Sequence, residues 1–469
     1  MNLLESTKEN YINFHIGIDD TDSLEGMCTT YLGAKLFFEL SKLYPLVEIH
    51  DFPYLLRLNP NVPHRTKGNG CVILYGQVHS SLVSIFQSMI LKTFNKYSQI
   101  ESTNTNPGLI IWYGEIPDQL YKFGQRALYD IIPISDVEEF IQLRNVIYYS
   151  PKSKLGLIGS LAGIGLLHQL LDVTYELLIY RNPPYFPSRN ENKKTIWEIN
   201  EDKYKLFNCV DYTNKSIKII PRGLDPVFCG IRGEDPFLLL EYWKAIQPQP
   251  EYEFWIIFKT NQGTNAHIIT TPINSFDHPL FLPYRVIKIE GFVYSNPIME
   301  LGGHVSFEFK DLISKKTIRV YAYEPTKGFR FKIKNLIIGD KIEISGNIRP
   351  SSEFFPESIN LEQILILKLV EKEVKLNPKC QLCNKRMESA GKNQPFRCKK
   401  CKTFTTKSNF ETYIEQRNLI ENKIYLPDID AQRHLTKPLK RISRNEGINL
   451  NNSIDKKEIW IPKLINQNS

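Results

Sequence analysis

Apolar and polar residues change rhythm twice along this chain, and each rhythm predicts a different kind of layer. Tyr11–Asp19 (YINFHIGID) reads as a buried strand, followed by a turn at 20–26 and a helix at 28–43. Strands follow at 71–76 and 109–113, and helices at 82–94 and 125–131. The stretch 155–171 has the length of a helix opened by glycines. Strands alternating with helices predict an α/β or α+β layer up to about residue 181. A proline-marked boundary, NPPYFPSRN, occupies 182–190. Beyond it, 197–272 is mixed, with strand signals at 252–259 and 266–271 that fit a small two-layer α+β domain.

From 284 to 369 the rhythm shortens to five alternating strands: RVIKIEGFVYS, HVSFEFK, TIRVYAYE, DKIEISGNIRP and LEQILILKL. Five such strands with glycines at the bends predict a five-stranded OB barrel. Such barrels often bind nucleic acid, but a fold alone does not assign a function. The expected partition is 1–181, 182–280, 281–370 and 371–469.

Composition supports several domains. A chain of 469 residues is too long for one core, and 42% hydrophobic residues exclude disorder. Net charge is +8, from 59 Lys and Arg against 51 Asp and Glu. Its placement says more. Residues 371–469 hold 21 Lys/Arg and 11 Asp/Glu, a surplus of 10, which leaves −2 on the first 370. A localised basic segment suits a polyanionic partner, although a solvated basic tail has the same composition.

The opening MNLLESTKENYINF has no basic n-region and no apolar h-region, so no signal peptide is expected. The apolar stretch 155–171 contains Ser160, His168 and Gln169 and is short of the roughly 20 apolar residues a membrane span needs. A cytoplasmic protein with no membrane contact is the expectation. The eight cysteines agree, because four are clustered in a metal pattern and four are scattered.

The cluster is Cys380, Cys383, Cys398 and Cys401, spaced CxxC–x14–CxxC. Two such knuckles on facing hairpins give zinc four thiolates in a tetrahedron. Four thiolates leave no open position, so this zinc is structural. Basic residues surround it, among them Lys379, Lys385, Arg386, Lys392, Arg397, Lys399, Lys400 and Lys402.

A second constellation lies near the N-terminus. Asp19, Asp20 and Asp22 crowd the end of a strand and its turn, and a hard cation such as magnesium relieves their repulsion. The run Gly26-Met27-Cys28-Thr29-Thr30 then enters a helix, whose free N–H groups and two hydroxyls suit phosphate. An Asx-rich turn with a threonine cap accounts for the same residues. Three polar or glycine-rich segments accompany it. The run 57–70 holds Arg57, Arg65 and Lys67 before the flexible Gly68-Asn69-Gly70. Thr105-Asn106-Pro107-Gly108 precedes a strand, and Gly156–Gly165 is glycine-rich, as a helix-packing surface also is. None of these matches a Walker loop or a protein-kinase glycine loop.

Together these stretches resemble the archaeal tRNA-isoleucine 2-agmatinylcytidine synthetases. The matching runs are GIDDTDSLEGMCTTYL (17–32), RLNPNVPHRTKGNG (57–70), TNPGLI (105–110), GLIGSLAGIG (156–165), TYELLIYR (174–181), DPVFCGIRGE (225–234), TNQGTNAH (260–267), the barrel, the paired CxxC knuckles and RHLTKPLKR (433–441). The resemblance implies a multidomain α+β chain with a kinase-like α/β catalytic domain, a ferredoxin-like domain, an OB-fold domain and a zinc ribbon. It implies ATP-dependent conjugation of agmatine to C2 of the wobble cytidine of the CAU-anticodon isoleucine tRNA, through phosphorylation of the cytidine, so that the anticodon reads AUA. It further implies phosphorylation of Thr29. Asp19, Asp20 and Asp22 are then the magnesium ligands, with Arg65 and Lys67 as phosphate clamps. Thr21, Gly26, Cys28, Thr30, Gly68, Asn69 and Gly70 line the nucleotide. Agmatine is a dication, and Asp211, Asp225 and Glu234 are the acidic candidates to face it. His15 and His64 receive no role.

Two other classes compete. A non-catalytic tRNA-binding protein leaves the acidic turn and its companion loops unexplained. A small-molecule kinase leaves the basic C-terminal fifth unexplained.

Overall fold

Strand β1 (Tyr11–Asp19) buries Phe14, Ile16 and Ile18 on one face, and that alternation sets the layers around it. The computed structural model describes residues 10–23, 26–63, 68–181, 193–221, 223–247, 251–391, 394–406 and 410–443. The proline-marked boundary at 182–190 lies outside them.

The first half runs β1, α1 (Thr29–Ser41), β2 (Val47–Ile49), β3 (Tyr54–Arg57), β4 (Gly70–His79), α2 (Val83–Tyr97), β5 (Gly108–Tyr113), α3 (Asp118–Ala127), α4 (Ile134–Ile141), β6 (Val146–Tyr149) and α5 (Leu155–Leu166). It continues through β7 (Thr174–Tyr180), α6 (Lys193–Glu198), β8 (Val210–Asp211), β9 (Ser216–Ile217), β10 (Val227–Gly233), α7 (Pro236–Ala245) and β11 (Phe254–Thr260). Among the described residues, nine of these strands form one sheet in the order β10-β7-β11-β3-β4-β1-β5-β6, with β2 beside β4. The pairings are antiparallel except β11 with β3.

Helices α1 and α2 cover one face, where Phe37, Phe86 and Phe94 meet Phe14 and Ile16. Helix α5 covers the other with α3 and α4, burying Leu161 and Phe123 against Trp112. Each large apolar side chain buried in this way contributes about 1.5–3 kcal/mol. Helix α7 covers β7 and β10 through Leu239, Tyr242 and Trp243.

Three expectations shift. The helix at 125–131 is instead α3, which begins after Pro117 in extended conformation and has Asp118 in its first turn. Both features favour an earlier start. The helix expected over 155–171 ends at Leu166. The strand signal at 266–271 is a run of turns with one isolated bridge, Ile268 to Val286. Its Ile268 and Ile269 N–H groups bond the Asn265 and Val286 carbonyls, each at 2.9 Å.

The barrel forms from β12 (Val286–Val293), β13 (Ile298–Met299), β14 (Val305–Asp311), β15 (Thr317–Ala322), α8 (Gly328–Ile333), β16 (Lys341–Arg349) and β17 (Ser358–Lys368). The path β12-β16-β17-β15-β14 closes through a β12–β14 pairing, so five strands make a closed barrel, as the alternation predicts. Phe307, Phe309, Ile344 and Ile366 fill it.

The last elements are β18 (Lys372–Leu376), β19 (Glu388–Ser389), β20 (Phe396–Arg397), β21 (Phe404–Thr405), β22 (Glu411–Glu415), β23 (Ile424–Tyr425) and α9 (Leu439–Ser443). Arg417 pins this region to the barrel through a two-pronged pair with buried Asp340. No helix among the described residues is long and apolar enough to cross a membrane.

Candidate active site

Strand register brings the polar loops together. Ile18 of β1 faces Val72 of β4, and Asp19 faces Gly108 of β5. The acidic turn after β1, the Gly68–Gly70 loop before β4 and the 105–108 loop before β5 therefore converge at one end of three neighbouring strands. The N-terminus of α5 closes the same end, where a Cβ on Gly156 would fall 2.2 Å from the Asn106 carbonyl oxygen.

Within the turn, the Asp19 carboxylate packs against Gly159 of α5 and accepts the Asp20 N–H at 2.8 Å. Burial raises the Asp19 pKa well above the carboxylate range, the Asp20 charge raises it further, and Arg57 opposes both. A proton or a cation relieves such a group. Asp20 has φ of +53° and accepts the Asn106 N–H at 3.1 Å. Thr105 donates its hydroxyl to the Asp22 carbonyl. Among the described residues, no three oxygens of Asp19, Asp20 and Asp22 converge as metal ligands; the cysteine cluster alone does.

Helix α1 starts at Thr29 with Cys28 extended before it and no acidic residue in its first turn. The Thr21 hydroxyl donates to that of Thr29 at 3.2 Å. Ser23 N–H closes the turn on the Gly26 carbonyl at 3.1 Å. Cys28 Sγ lies 3.2 Å from the Thr30 hydroxyl. Burial pushes the Cys28 thiol up to about 12, so it is not a thiolate nucleophile.

Gly68 has φ of +71°, a conformation glycine adopts without strain, and Asn69 donates its amide to the Asn59 carbonyl at 2.7 Å. Arg57 reaches the Gly68 carbonyl at 3.4 Å. Arg65 and Lys67 lie outside the described residues, as does His64. Asp19, Thr21, Asp20, Asp22, Gly26, Cys28, Thr29, Thr30, Gly68, Asn69 and Gly70 all belong to this one end of the sheet.

Sequence reasoning missed the groups beneath the glycine loop. Arg57 is half-buried, and desolvation lowers its pKa while the Glu176 charge raises it. Glu176 of β7 accepts from Arg232 at 2.9 Å and from Gln262. Asn261 exchanges two hydrogen bonds with the Arg57 backbone, at 2.8 and 2.9 Å. One signal existed: Glu176 is the only charged residue inside the apolar strand TYELLIY. The three acidic candidates for agmatine are engaged within the protein. Asp211 holds the Asn214 amide at 2.8 Å, Asp225 accepts the Val227 N–H at 3.2 Å, and Glu234 accepts from Arg441 at 3.0 Å. His15 is buried beside Tyr75 and His168 on the α5 side.

The four cysteine sulfurs of Cys380, Cys383, Cys398 and Cys401 lie within 4.8 Å of one another. A zinc tetrahedron with bonds of about 2.3 Å needs sulfurs about 3.8 Å apart, so the donor set fits. The Thr403 hydroxyl and the Cys383 N–H pull the Cys380 thiol down, while Cys383 and Cys380 push the Cys401 thiol up, as expected of neighbouring thiols that titrate together.

A nine-stranded α/β unit, a closed five-stranded barrel and a four-cysteine zinc-ribbon-like site define a multidomain class. Family models match along it: the TiaS TCKD domain over 15–152, the TiaS FLD domain over 154–267 and the TiaS C-terminal zinc ribbon domain over 377–419. The chain belongs to TiaS, the family of 2-agmatinylcytidine synthetases that act on an isoleucine tRNA. The Thermococcus sibiricus member is 36% identical over 430 residues, covering 91% of this chain and 96% of the relative. The Methanosarcina acetivorans member is 34% identical, covering 93% and 99%. A crystal structure of TiaS in complex with its isoleucine tRNA and ATP superposes with a TM-score of 0.77 at 32% identity, covering 92% of this chain and 97% of the other. A complex of TiaS with the same tRNA, AMPCPP and agmatine superposes at 0.75 with 30% identity and the same coverage.

Proposed function

We propose that this chain uses ATP to join agmatine to C2 of the wobble cytidine of the CAU-anticodon isoleucine tRNA. One observation supports this above the rest: the acidic turn, the glycine loop and the 105–108 loop meet at one end of β4, β1 and β5. They do so in a chain that matches the synthetases almost end to end.

The C2 oxygen of cytosine leaves poorly. Transfer of the ATP γ-phosphoryl group to that oxygen makes it a phosphate leaving group. The primary amine of agmatine then attacks C2, the C–O bond breaks, and phosphate departs with the oxygen. Phosphoryl transfer depends mainly on positioning and charge neutralisation. Magnesium is assigned to Asp19, Asp20 and Asp22. Such an ion commonly takes one or two carboxylates and completes its shell with phosphate oxygens and water, so a protein-only cluster is not required. Thr29 is the phosphorylated threonine. Arg65 and Lys67 clamp phosphate, and the α1 N-terminus receives it. Thr21, Gly26, Cys28, Thr30, Gly68, Asn69 and Gly70 line the nucleotide.

The kinase-like reading applies to the layers around β1, and the ferredoxin-like reading to β7, β10, α7 and β11. The partition 1–181, 182–280, 281–370 and 371–469 serves as a working division, with sheet hydrogen bonds continuous across its first boundary. The barrel and the zinc ribbon grip tRNA, which places the work in the cytosol.

The test is ATP consumption. Turnover should require tRNA and agmatine together. Turnover with tRNA absent would favour the small-molecule kinase, and none under any condition would favour the binding protein.

A further inference from the structure

After the zinc ribbon and β23, the chain returns to the sheet. His434 and Leu435 carbonyls accept the N–H groups of Gly263 and Asn265 at 2.9 and 2.7 Å. The Asn265 side chain accepts the Lys437 N–H at 2.6 Å. Leu435 and Thr436 are buried. The anchor is Arg441, which is 6% exposed. Its guanidinium donates on three sides: to Glu234 at 3.0 Å, to Asp172 at 2.8 Å and to the Gly263 carbonyl. Its planar group also lies 5.7 Å from the Phe207 ring centre. Lys437 joins Asp172 at 2.9 Å, and Lys440 joins Glu201 and Asp202.

Arg441 is spent inside the protein and Lys437 and Lys440 are paired with carboxylates, so these three cations do not form a free phosphate-binding stripe. The upstream end touches the glycine loop. A Cβ on Gly68 would fall 3.2 Å from the His434 ring. Arg433 reaches Asn61 at 3.5 Å. Gly68 is also held by Arg57, which approaches the same Cβ position and whose backbone is fixed by Asn261, two residues before the Gly263 that binds the segment. Loop, segment and the 261–265 turn thus form one packed unit.

We infer that residues 432–441 are a built-in clamp on the glycine loop, with Arg441 as its anchor and His434 as the positioning residue that covers Gly68. The inference rests on the reading of Gly68–Gly70 as part of the nucleotide site. Chain that comes after the barrel and the zinc ribbon thus completes the site near the N-terminus.

The test uses the full chain. Hydrogen–deuterium exchange is followed in the peptides carrying 57–63 and 68–70. His434→Ala should raise exchange there while the barrel peptides stay as in the parent. Arg441→Ala should raise it in the same peptides and at 261–265, and Arg441→Lys should restore it in part. Arg441→Ala takes one partner from each of Glu234 and Asp172 and can lower the melting temperature, so His434→Ala is the deciding variant. His434→Ala should also lower kcat for tRNA modification by about 10²-fold, the cost of a misplaced group near the chemistry, with tRNA affinity within about twofold of the parent. Unchanged exchange at 57–63 and 68–70 in His434→Ala would overturn the clamp. Absence of any agmatine product from the parent would overturn the proposed function instead, and the exchange result would still decide the clamp.

Discussion

The hydroxyls of Thr21 and Thr29 meet at 3.2 Å inside the protein, with the Thr21 N–H also aimed at Thr29 Oγ1 at 3.4 Å. The contact ties the acidic turn to the first residue of α1. Thr29→Val keeps the shape and removes the oxygen, at a folding cost of about 1–3 kcal/mol for the two hydrogen bonds lost from Thr21. It should eliminate phosphate on the protein and slow product formation by about 10²-fold or more. Thr29→Ser should retain both. Mass analysis of the protein after incubation with ATP checks the first point, and phosphate on Thr29→Val would refute the assignment.

Asp20→Asn separates charge from geometry. Asparagine tolerates the left-handed backbone at φ of +53° and keeps an oxygen for the Asn106 N–H. The fold and tRNA affinity should be unchanged. Turnover should fall by about 10³-fold, because a carboxylate that would hold the phosphate-neutralising cation is lost. Full turnover at saturating magnesium would remove Asp20 from the metal site.

Gly156→Ala tests how the loops are held. The new methyl would collide with the Asn106 carbonyl at 2.2 Å, and Asn106 carries the N–H that binds Asp20. The substitution should cost about 1–3 kcal/mol in stability. Activity should fall more than the melting temperature alone accounts for. Parent-like activity would mean that the 105–108 loop does not position Asp20.

The barrel strands were legible because most of their side chains alternate between a filled interior and a wetter face, as in Val286–Val293 and Val305–Asp311, and β1 because it is a short apolar run buried on both faces. The zinc site was legible from spacing alone. The glycine-rich 156–165 run was ambiguous, because close packing and phosphate binding both call for small residues. Its glycines take the close approaches of Asp19 and Asn106. The Arg57–Glu176–Gln262 network was hidden, since its members lie far apart in sequence and meet only through β3, β7 and β11. The packing of Arg441 was hidden for the same reason: a basic residue in a basic tail reads as solvated until its acidic partners at 172 and 234 are located.

Cys398→Ser removes one of four sulfurs that lie within 4.8 Å. Binding of a structural zinc is itself folding energy for so small a unit. Zinc content should fall below one per chain, exchange should rise over 377–406, and tRNA affinity should weaken. The nine-stranded sheet should melt as in the parent. A full complement of zinc would show that the site is misread.

His15 makes stability depend on pH. Burial, with His168 nearby, holds its pKa down to about 4, below the roughly 6.5 of an unfolded chain. Between those values the unfolded state binds more protons. Stability is therefore complete above about pH 6.5 and falls as pH drops toward 4, by roughly 3 kcal/mol in all. Denaturant titrations at pH 7 and 5 should show this loss in the parent and a smaller one in His15→Leu. Equal losses would place the titration elsewhere.

The most direct measurement is the mass of the wobble nucleoside in the CAU isoleucine tRNA after incubation with this protein, ATP and agmatine. The expected product is cytidine plus agmatine minus one water, formed only when all three components are present. Unmodified cytidine, or an agmatine adduct formed equally well without ATP, would contradict it.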